Sequence, residues 1–196
     1  MKKTVMFGGT FNPIHKGHVE MIRALSQREE VDRIIVVPTN VPPHKEKAEA
    51  FASPADRLIM CDIAIKGIKR VYVCDIEFSR PGKSYTIDTL TQFKEMYGDV
   101  AIMIGADMLT TFDEWKDYEK ILEMADIYAV RRPGIDNDLF DKAVERYSKK
   151  TNVIVLDLET PDISSTQLRE MLKTRQVGDY VSKYVLKYID EKELFL

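Results

Sequence analysis

The stretch TVMFGGTFNPIHKGH, residues 4–18, decides the fold. Residues 4–7 form an apolar run typical of a short buried strand, and two glycines follow it directly. Beyond a short loop, an amphipathic helix is predicted from about Gly17, since apolar residues recur there at helical spacing. A strand that leads into a helix through glycines can bring backbone N–H groups and the helix N-terminus against a phosphate.

Two imidazoles and an ammonium stand at the entrance of this helix, on His15, His18 and Lys16. Beside the positive end of a helix dipole, they suit an anion that gains charge in a transition state. The alternatives are a capping or surface position for each histidine, or a zinc pair. The zinc alternative lacks the H-E-x-x-H spacing and a nearby carboxylate or Cys. The stretch also matches neither the P-loop pattern nor the dinucleotide fingerprint G-x-G-x-x-G.

The composition is that of an ordinary globular protein, with 44% hydrophobic and 31% charged residues. A length of 196 residues predicts one domain, 1–196, with a C-terminal helical part at about 163–196. The net charge of −3 argues against a general nucleic-acid binder. Cys61 and Cys74 fall in apolar segments and are expected to be reduced thiols of the core. No signal peptide or membrane span is expected, which predicts a cytoplasmic location without a membrane partner. Homo-oligomerisation stays open.

Short β-branched runs alternate with amphipathic helices along the chain. This alternation predicts an α/β fold, a doubly wound parallel sheet with helices on both faces and ligands at the carboxyl ends of the strands. Strands are predicted at 4–7, 33–37, 71–75, 100–104, 127–130 and 153–156, and helices at 17–28, 54–66, 86–97, 118–124 and 138–149.

Residues 8–18, GGTFNPIHKGH, resemble the signature of the nucleotidyltransferase superfamily with a (H/T)xGH motif. Further motifs follow in the right order and resemble those of nicotinate-nucleotide adenylyltransferases, bacterial enzymes of NAD synthesis. The resemblance covers nearly the whole chain and implies a Rossmann-like nucleotidyltransferase fold. One departure is Asn12, where these enzymes usually carry Asp; Asn keeps an acceptor oxygen, adds a donor and loses the charge.

Three segments resemble motifs that bind the mononucleotide in this family: PPHK at 42–45, SYTxDTL at 84–90, and an aromatic residue at Trp115. From the residues alone, they could equally be a proline-rich surface loop, a helix start capped by Ser84 or Thr86, and a core tryptophan. The resemblance implies that PPHK lies against the substrate phosphate, that Thr86 meets the nicotinate carboxylate, and that Trp115 stacks on the pyridine ring. Lys116 stands where relatives often have an aromatic residue. The implied mononucleotide-binding residues are Asn40, His44, Lys45, Thr86, Trp115 and Arg132.

Two further segments, IGAD at 104–107 and DISSTQLR at 162–169, resemble the family's ATP-binding motifs. On their own, Asp107 could cap a short helix and Ser164-x-x-Gln167 could form a capping box. Side chains on a helix lean toward its N-terminus, so Arg169 can reach back to a phosphate bound there. The implied ATP-binding residues are Gly8, Gly9, Thr10, Phe11, His18, Gly105, Asp107, Ile163, Ser164, Thr166 and Arg169.

The reaction implied by the resemblance is adenylyl transfer from ATP to nicotinate mononucleotide, giving deamido-NAD and pyrophosphate. His15, His18 and Arg169 are the expected catalytic residues. Mg²⁺ is expected to bind mainly through the ATP phosphates, without a protein metal site. Three alternatives remain: the same reaction on nicotinamide mononucleotide, another transferase of the superfamily such as the phosphopantetheine enzyme, and a non-catalytic nucleotide sensor of the same fold.

Overall fold

The computed structural model describes residues 2–42, 51–131 and 136–195. Within these residues, six strands form one sheet, and all of its pairings are parallel. The strand order is β3-β2-β1-β4-β5-β6, so the direction of winding reverses between β1 and β4. The predicted doubly wound parallel sheet is therefore confirmed. The strands are β1 Lys3–Gly9, β2 Val31–Pro38, β3 Val71–Val73, β4 Val100–Gly105, β5 Asp126–Arg131 and β6 Val153–Asp157.

The helices connect these strands and cover both faces of the sheet. They are α1 Lys16–Ser26, α2 Pro54–Ile65, α3 Thr86–Tyr97, α4 Ala106–Thr110, α5 Tyr118–Met124, α6 Asn137–Ser148, α7 Ser165–Lys173 and α8 Lys183–Glu191. A single 3-10 turn, Phe112–Glu114, follows α4. No helix of the described ranges is long and apolar enough to cross a membrane.

Two hydrophobic cores lie on opposite faces of the sheet, because successive side chains of a strand point to opposite sides. In β1, Val5 faces the core formed with α1, α2, α7 and α8, whereas Met6 faces the core formed with α3 to α6. Val36 and Val37 divide in the same way on β2. The central strands are thus buried on both faces, so a ligand can reach them only at their ends. In doubly wound sheets, ligands bind at the carboxyl ends.

The predicted caps of α2 and α7 are confirmed, and the predicted cap of α3 is wrong. Ser53 Oγ accepts a hydrogen bond from the Asp56 amide before the first-turn proline of α2, as predicted. The predicted capping box of α7 is also present between Ser164 and Gln167. The prediction that Ser84 or Thr86 caps α3 is wrong, because Thr86 is already the first helical residue. Tyr85 occupies the N-cap position and makes no side-chain capping bond.

The two glycines after the first apolar run belong to β1 itself, not to the loop that follows it. A Cβ on Gly9 would come within 2.8 Å of the Phe11 ring, closer than side chains normally approach. Phe11 folds back over the strand end with its side chain buried. Gly9 is therefore required where the chain turns away from the sheet.

Candidate active site

A cavity of about 350 Å³ opens at the carboxyl ends of β1 and β4, where the winding of the sheet reverses. Ligands of doubly wound sheets bind at this kind of position. Its floor is formed by the ends of both strands, and its walls come from the starts of α1, α3 and α4. The cavity is lined by Met6, Phe7, Gly8, Gly9, Thr10, Phe11, His18, Met21, Thr39, Pro42, Glu77, Ser84, Tyr85, Thr86, Ile102, Met103, Ile104, Gly105, Asp107, Met108, Trp115, Lys116 and Ser165.

The cavity brings together predicted site residues from four separate motifs, namely Gly8, Gly9, Thr10, Phe11, His18, Thr86, Gly105, Asp107 and Trp115. Six other predicted residues do not line it: His15, Asn40, Ile163, Ser164, Thr166 and Arg169. Of these, Asn40 adjoins Thr39 of the wall, and the last four lie at or within the start of α7, whose Ser165 reaches the cavity. His44, Lys45 and Arg132 lie outside the described residues.

His18 is the cavity residue with the clearest chemical capacity. It lies in the first turn of α1, and its Nδ1 accepts a hydrogen bond from the His15 backbone N–H at 3.3 Å. Because Nδ1 accepts, the neutral ring carries its proton on Nε2, which can donate to a phosphate oxygen. The imidazole of His15 is buried and stacks on that of His18, with the ring centroids 3.6 Å apart. His15 therefore supports the ring that faces the cavity.

The start of α7 is joined to the loop after β1 by two hydrogen bonds from side chains. Ser165 Oγ donates to the Pro13 carbonyl at 2.9 Å, and Arg169 Nη1 donates to the Asn12 carbonyl at 2.9 Å. Arg169 Nη2 also donates to Thr166 Oγ1 at 3.3 Å, so the guanidinium does reach back over its own helix. Burial lowers the pKa of Arg169, but a guanidinium stays charged at neutral pH. A fixed positive charge therefore lies against the loop that leads from β1 to His15 and His18.

Arg57 holds the two loops that border the cavity and was not predicted from the sequence. Its buried guanidinium donates to the carbonyls of Thr10 at 2.8 Å and of Asn40 at 3.3 Å, which follow β1 and β2. Burial lowers the pKa of this guanidinium, which still remains charged. The sequence carries no local sign of this role, because Arg57 lies inside α2 among ordinary helical residues.

Asn12 has a structural contact that either an amide or a carboxylate could make. Its Oδ1 accepts a hydrogen bond from the Ala52 amide at 3.0 Å, next to the start of α2. Since the acceptor oxygen is common to Asn and Asp, the departure at position 12 preserves this contact.

The opposite wall combines a helix start with an aromatic face. Thr86 opens α3, and the first N–H groups of a helix have no partner within it. Trp115 is half-buried, with its ring centroid 4.9 Å from that of Phe112. This wall can therefore present hydrogen-bond donors and a flat apolar surface to one ligand.

Glu77 lines the cavity and, like Arg57, was not singled out from the sequence. Its side chain is buried, and Oε1 accepts a hydrogen bond from Thr89 Oγ1 at 2.8 Å. Arg80 Nη2 lies 3.6 Å from the same oxygen. This contact between residues 77–80 and α3 fixes the segment that leads to Tyr85 and Thr86. A glutamate and an arginine in an irregular segment carry no signal that distinguishes them from surface charges.

The chain matches the cytidylyltransferase-like family model over residues 6–171. A probable nicotinate-nucleotide adenylyltransferase of Clostridium tetani is 36% identical over 177 residues, which cover 88% of each chain. One of Bacillus licheniformis is 32% identical over 198 residues, covering 100% of this chain and 99% of that protein.

Among solved structures, the nicotinic acid mononucleotide adenylyltransferase of Plasmodium falciparum complexed with NaAD superposes with a TM-score of 0.80 at 20% identity, covering 100% of this chain and 98% of that chain. At this identity the superposition establishes the shared fold. The sequence matches extend over most or all of this chain and of each relative, and they include the residues that line the cavity. The chain therefore belongs to the cytidylyltransferase-like family and, within it, to the nicotinate-nucleotide adenylyltransferases.

Proposed function

We propose that this protein transfers the adenylyl group of ATP to nicotinate mononucleotide, forming deamido-NAD and pyrophosphate in NAD biosynthesis. The observation that carries the proposal is the single cavity in which His18, Gly105 and Thr86 converge at the reversal point of the sheet. Relatives with the same activity in their names match the chain over almost its whole length.

In this reaction, a phosphate oxygen of the mononucleotide attacks the α-phosphorus of ATP. The bond from that phosphorus to the oxygen bridging to the β-phosphate breaks, and pyrophosphate leaves with the electron pair. The substrate supplies the nucleophile, so the protein has to position both substrates and stabilise the developing charge. We assign the stabilising hydrogen bond to His18, through Nε2–H.

We assign the other substrate-binding roles from the family resemblance and from where each residue lies relative to the cavity. Gly8, Gly9, Thr10 and Phe11 at the end of β1, with Gly105 and Asp107 after β4, would hold ATP. Ile163, Ser164, Thr166 and Arg169 would place the start of α7 at the β- and γ-phosphates, with His15 behind His18. Asn40, Thr86 and Trp115 would hold the mononucleotide. His44, Lys45 and Arg132 remain predictions for the same substrate.

The described residues contain no group of three or more His, Cys, Asp or Glu side chains placed to hold a metal ion. We propose that Mg²⁺ enters with ATP and is bound mainly by phosphate oxygens and water. The single-domain organisation, the cytoplasmic location and any homo-oligomer stay predictions.

The test is release of pyrophosphate with ATP and a panel of acceptors: nicotinate mononucleotide, nicotinamide mononucleotide and phosphopantetheine. A helix start that offers N–H donors favours the nicotinate carboxylate, whereas the amide NH₂ would face donors without an acceptor. An unpaired buried polar group costs about 1–3 kcal/mol, so kcat/KM should be at least about tenfold higher with nicotinate mononucleotide. Equal values, or a preference for another acceptor, would contradict the assignment.

A further inference from the structure

Lys116 lies in the wall of the cavity, directly after Trp115 and across from the start of α3. Its Nζ is 4.5 Å from the centroid of the Tyr85 ring and 3.5 Å from Asp88 Oδ1. Tyr85 is the N-cap residue of α3, and Asp88 belongs to its first turn. The ammonium therefore lies over the helix end that supplies the N–H donors of the cavity.

The backbone and two contacts hold the ammonium in this place. Trp115 is extended and Asp117 adopts a left-handed conformation with φ 54°, so the chain changes direction directly after Lys116. A cation over an aromatic face is attracted to it, and the Asp88 carboxylate adds an ion pair. An ammonium held by these contacts has less freedom to lose when a ligand binds.

Two opposite charges lie at the start of α3, the Asp88 carboxylate and the Lys116 ammonium. Asp88 stabilises the helix through its dipole, but its carboxylate would repel an anion that approaches the same N–H groups. Lys116 offsets that repulsion. The neighbouring Asp117 is paired with Lys120 at 3.3 Å, and Asp113 with Arg146 at 2.9 Å. Lys116 is thus the cation paired with the carboxylate in the first turn of α3.

We propose that the Lys116 ammonium is a specificity determinant, which raises the preference of the enzyme for nicotinate over nicotinamide mononucleotide. This inference rests on the proposed function and deepens it. The ammonium attracts the carboxylate of nicotinate and offsets Asp88, and it gives little to the neutral amide. Preference for the acid therefore comes from two sources, the N–H groups of α3 and this side chain.

The experiment measures kcat/KM for both mononucleotides with saturating ATP in the wild type, Lys116→Met and Lys116→Arg. Met keeps the apolar stem and removes the charge, and Arg keeps the charge. Both side chains of the Lys116–Asp88 pair are nearly half-exposed, at 46% and 44%, so solvent screens the effect. We expect the nicotinate-to-nicotinamide ratio to fall about fivefold in Lys116→Met, and to stay within about twofold of the wild type in Lys116→Arg.

Two controls separate charge from packing. Lys120→Met removes an exposed lysine of the same segment that does not line the cavity, and it should leave the ratio unchanged. Adding Asp88→Asn to Lys116→Met should restore most of the lost preference, because the uncompensated carboxylate is then gone.

An unchanged ratio in Lys116→Met, or an equal loss with both mononucleotides, would overturn the inference. A wild-type enzyme that releases pyrophosphate with neither mononucleotide would instead contradict the proposed function. In that case the inference can still be tested by calorimetry, which measures how tightly each mononucleotide binds to the wild type and to Lys116→Met. Stronger binding of the acid that depends on Lys116 would support it, and equal binding of acid and amide by both proteins would overturn it.

Discussion

At the scale of the residue, His18 brings its imidazole to the cavity while Nδ1 is engaged by the His15 backbone. We expect His18→Ala to lower kcat by about 100-fold to 1000-fold, the range for losing one preorganised donor to developing charge. Arg23→Ala, on the exposed part of the same helix, is the matched control and should keep normal turnover. If a folded His18→Ala enzyme turned over at a near-normal rate, the assignment of His18 would be wrong.

The residues that line the cavity could be predicted where they lie close together in the sequence. Residues 8–18 carry glycines, histidines and a helix start in one stretch, so their combined pattern is visible before folding. Arg57 and Glu77 could not be predicted in this way. Arg57 donates hydrogen bonds to carbonyls up to 47 residues away, and Glu77 accepts a hydrogen bond from Thr89 of α3. Such roles arise only when distant segments meet.

At the scale of the element, the start of α1 depends on Gly17. A Cβ at this position would lie 3.2 Å from Cε1 and Nδ1 of His15, so the ring that stacks on His18 would have to shift by a few tenths of an ångström. Ala is favoured over Gly within a helix by about 1 kcal/mol. We therefore expect Gly17→Ala to keep or raise the melting temperature and to lower kcat by at least about tenfold, since moving the His15 ring also displaces the His18 imidazole stacked on it.

Thermal unfolding and steady-state turnover of the same Gly17→Ala preparation check this prediction. A variant that loses stability and activity together would show that Gly17 serves the fold and has no separate role in placing His15.

Helix bounds were predictable where the local chemistry is unambiguous. Thr86–Tyr97 and Tyr118–Met124 begin and end where the sequence predicts, and Gly98 ends α3 with a positive φ of 77°, which suits glycine. The short α4 was foreseen only as a helix that Asp107 could cap, but Gly105 is its N-cap and Asp107 lies within it; the 3-10 turn after it was not predicted. A helix of 5 residues is too short to show an apolar period, and its buried Leu109 packs only once the sheet exists.

At the scale of the whole molecule, alternating strands and helices predicted the parallel sheet but not its strand order. The order 3-2-1-4-5-6 depends on which strands pair across the chain, and local patterns do not encode those pairings. The residues alone also did not show that the C-terminal part returns to the first motif; only the resemblance, which assigns residues 8–18 and 162–169 to the same ATP, implied it. The Lys16 amide donates to the Tyr180 carbonyl at 2.7 Å, which links the start of α1 to the segment before α8.

The docking of α8 gives the last prediction. Tyr188 Oη donates to Asp56 Oδ1 at 2.8 Å and thereby joins α8 to α2. Partial burial raises the pKa of the Asp56 carboxyl, but hydrogen bonds from Ser53 and Tyr188 outweigh it and hold that pKa below its usual value. Removing one such bond costs about 1 kcal/mol, so Tyr188→Phe should lower the melting temperature at pH 7 by about 2–4 °C. Tyr184→Phe, on the exposed side of α8, should not change it.

The pH dependence of this difference has a definite sign. A carboxyl whose folded pKa is depressed contributes stability above its unfolded pKa, and this contribution is lost as the pH falls through the folded pKa. The gap in melting temperature between the wild type and Tyr188→Phe should therefore persist at neutral pH and close as the pH falls below about 4, the ordinary pKa of Asp. Calorimetric unfolding of both proteins across this range decides the matter. A gap that is absent at pH 7, or one that widens in acid, would show that the Tyr188–Asp56 hydrogen bond does not hold α8 in place.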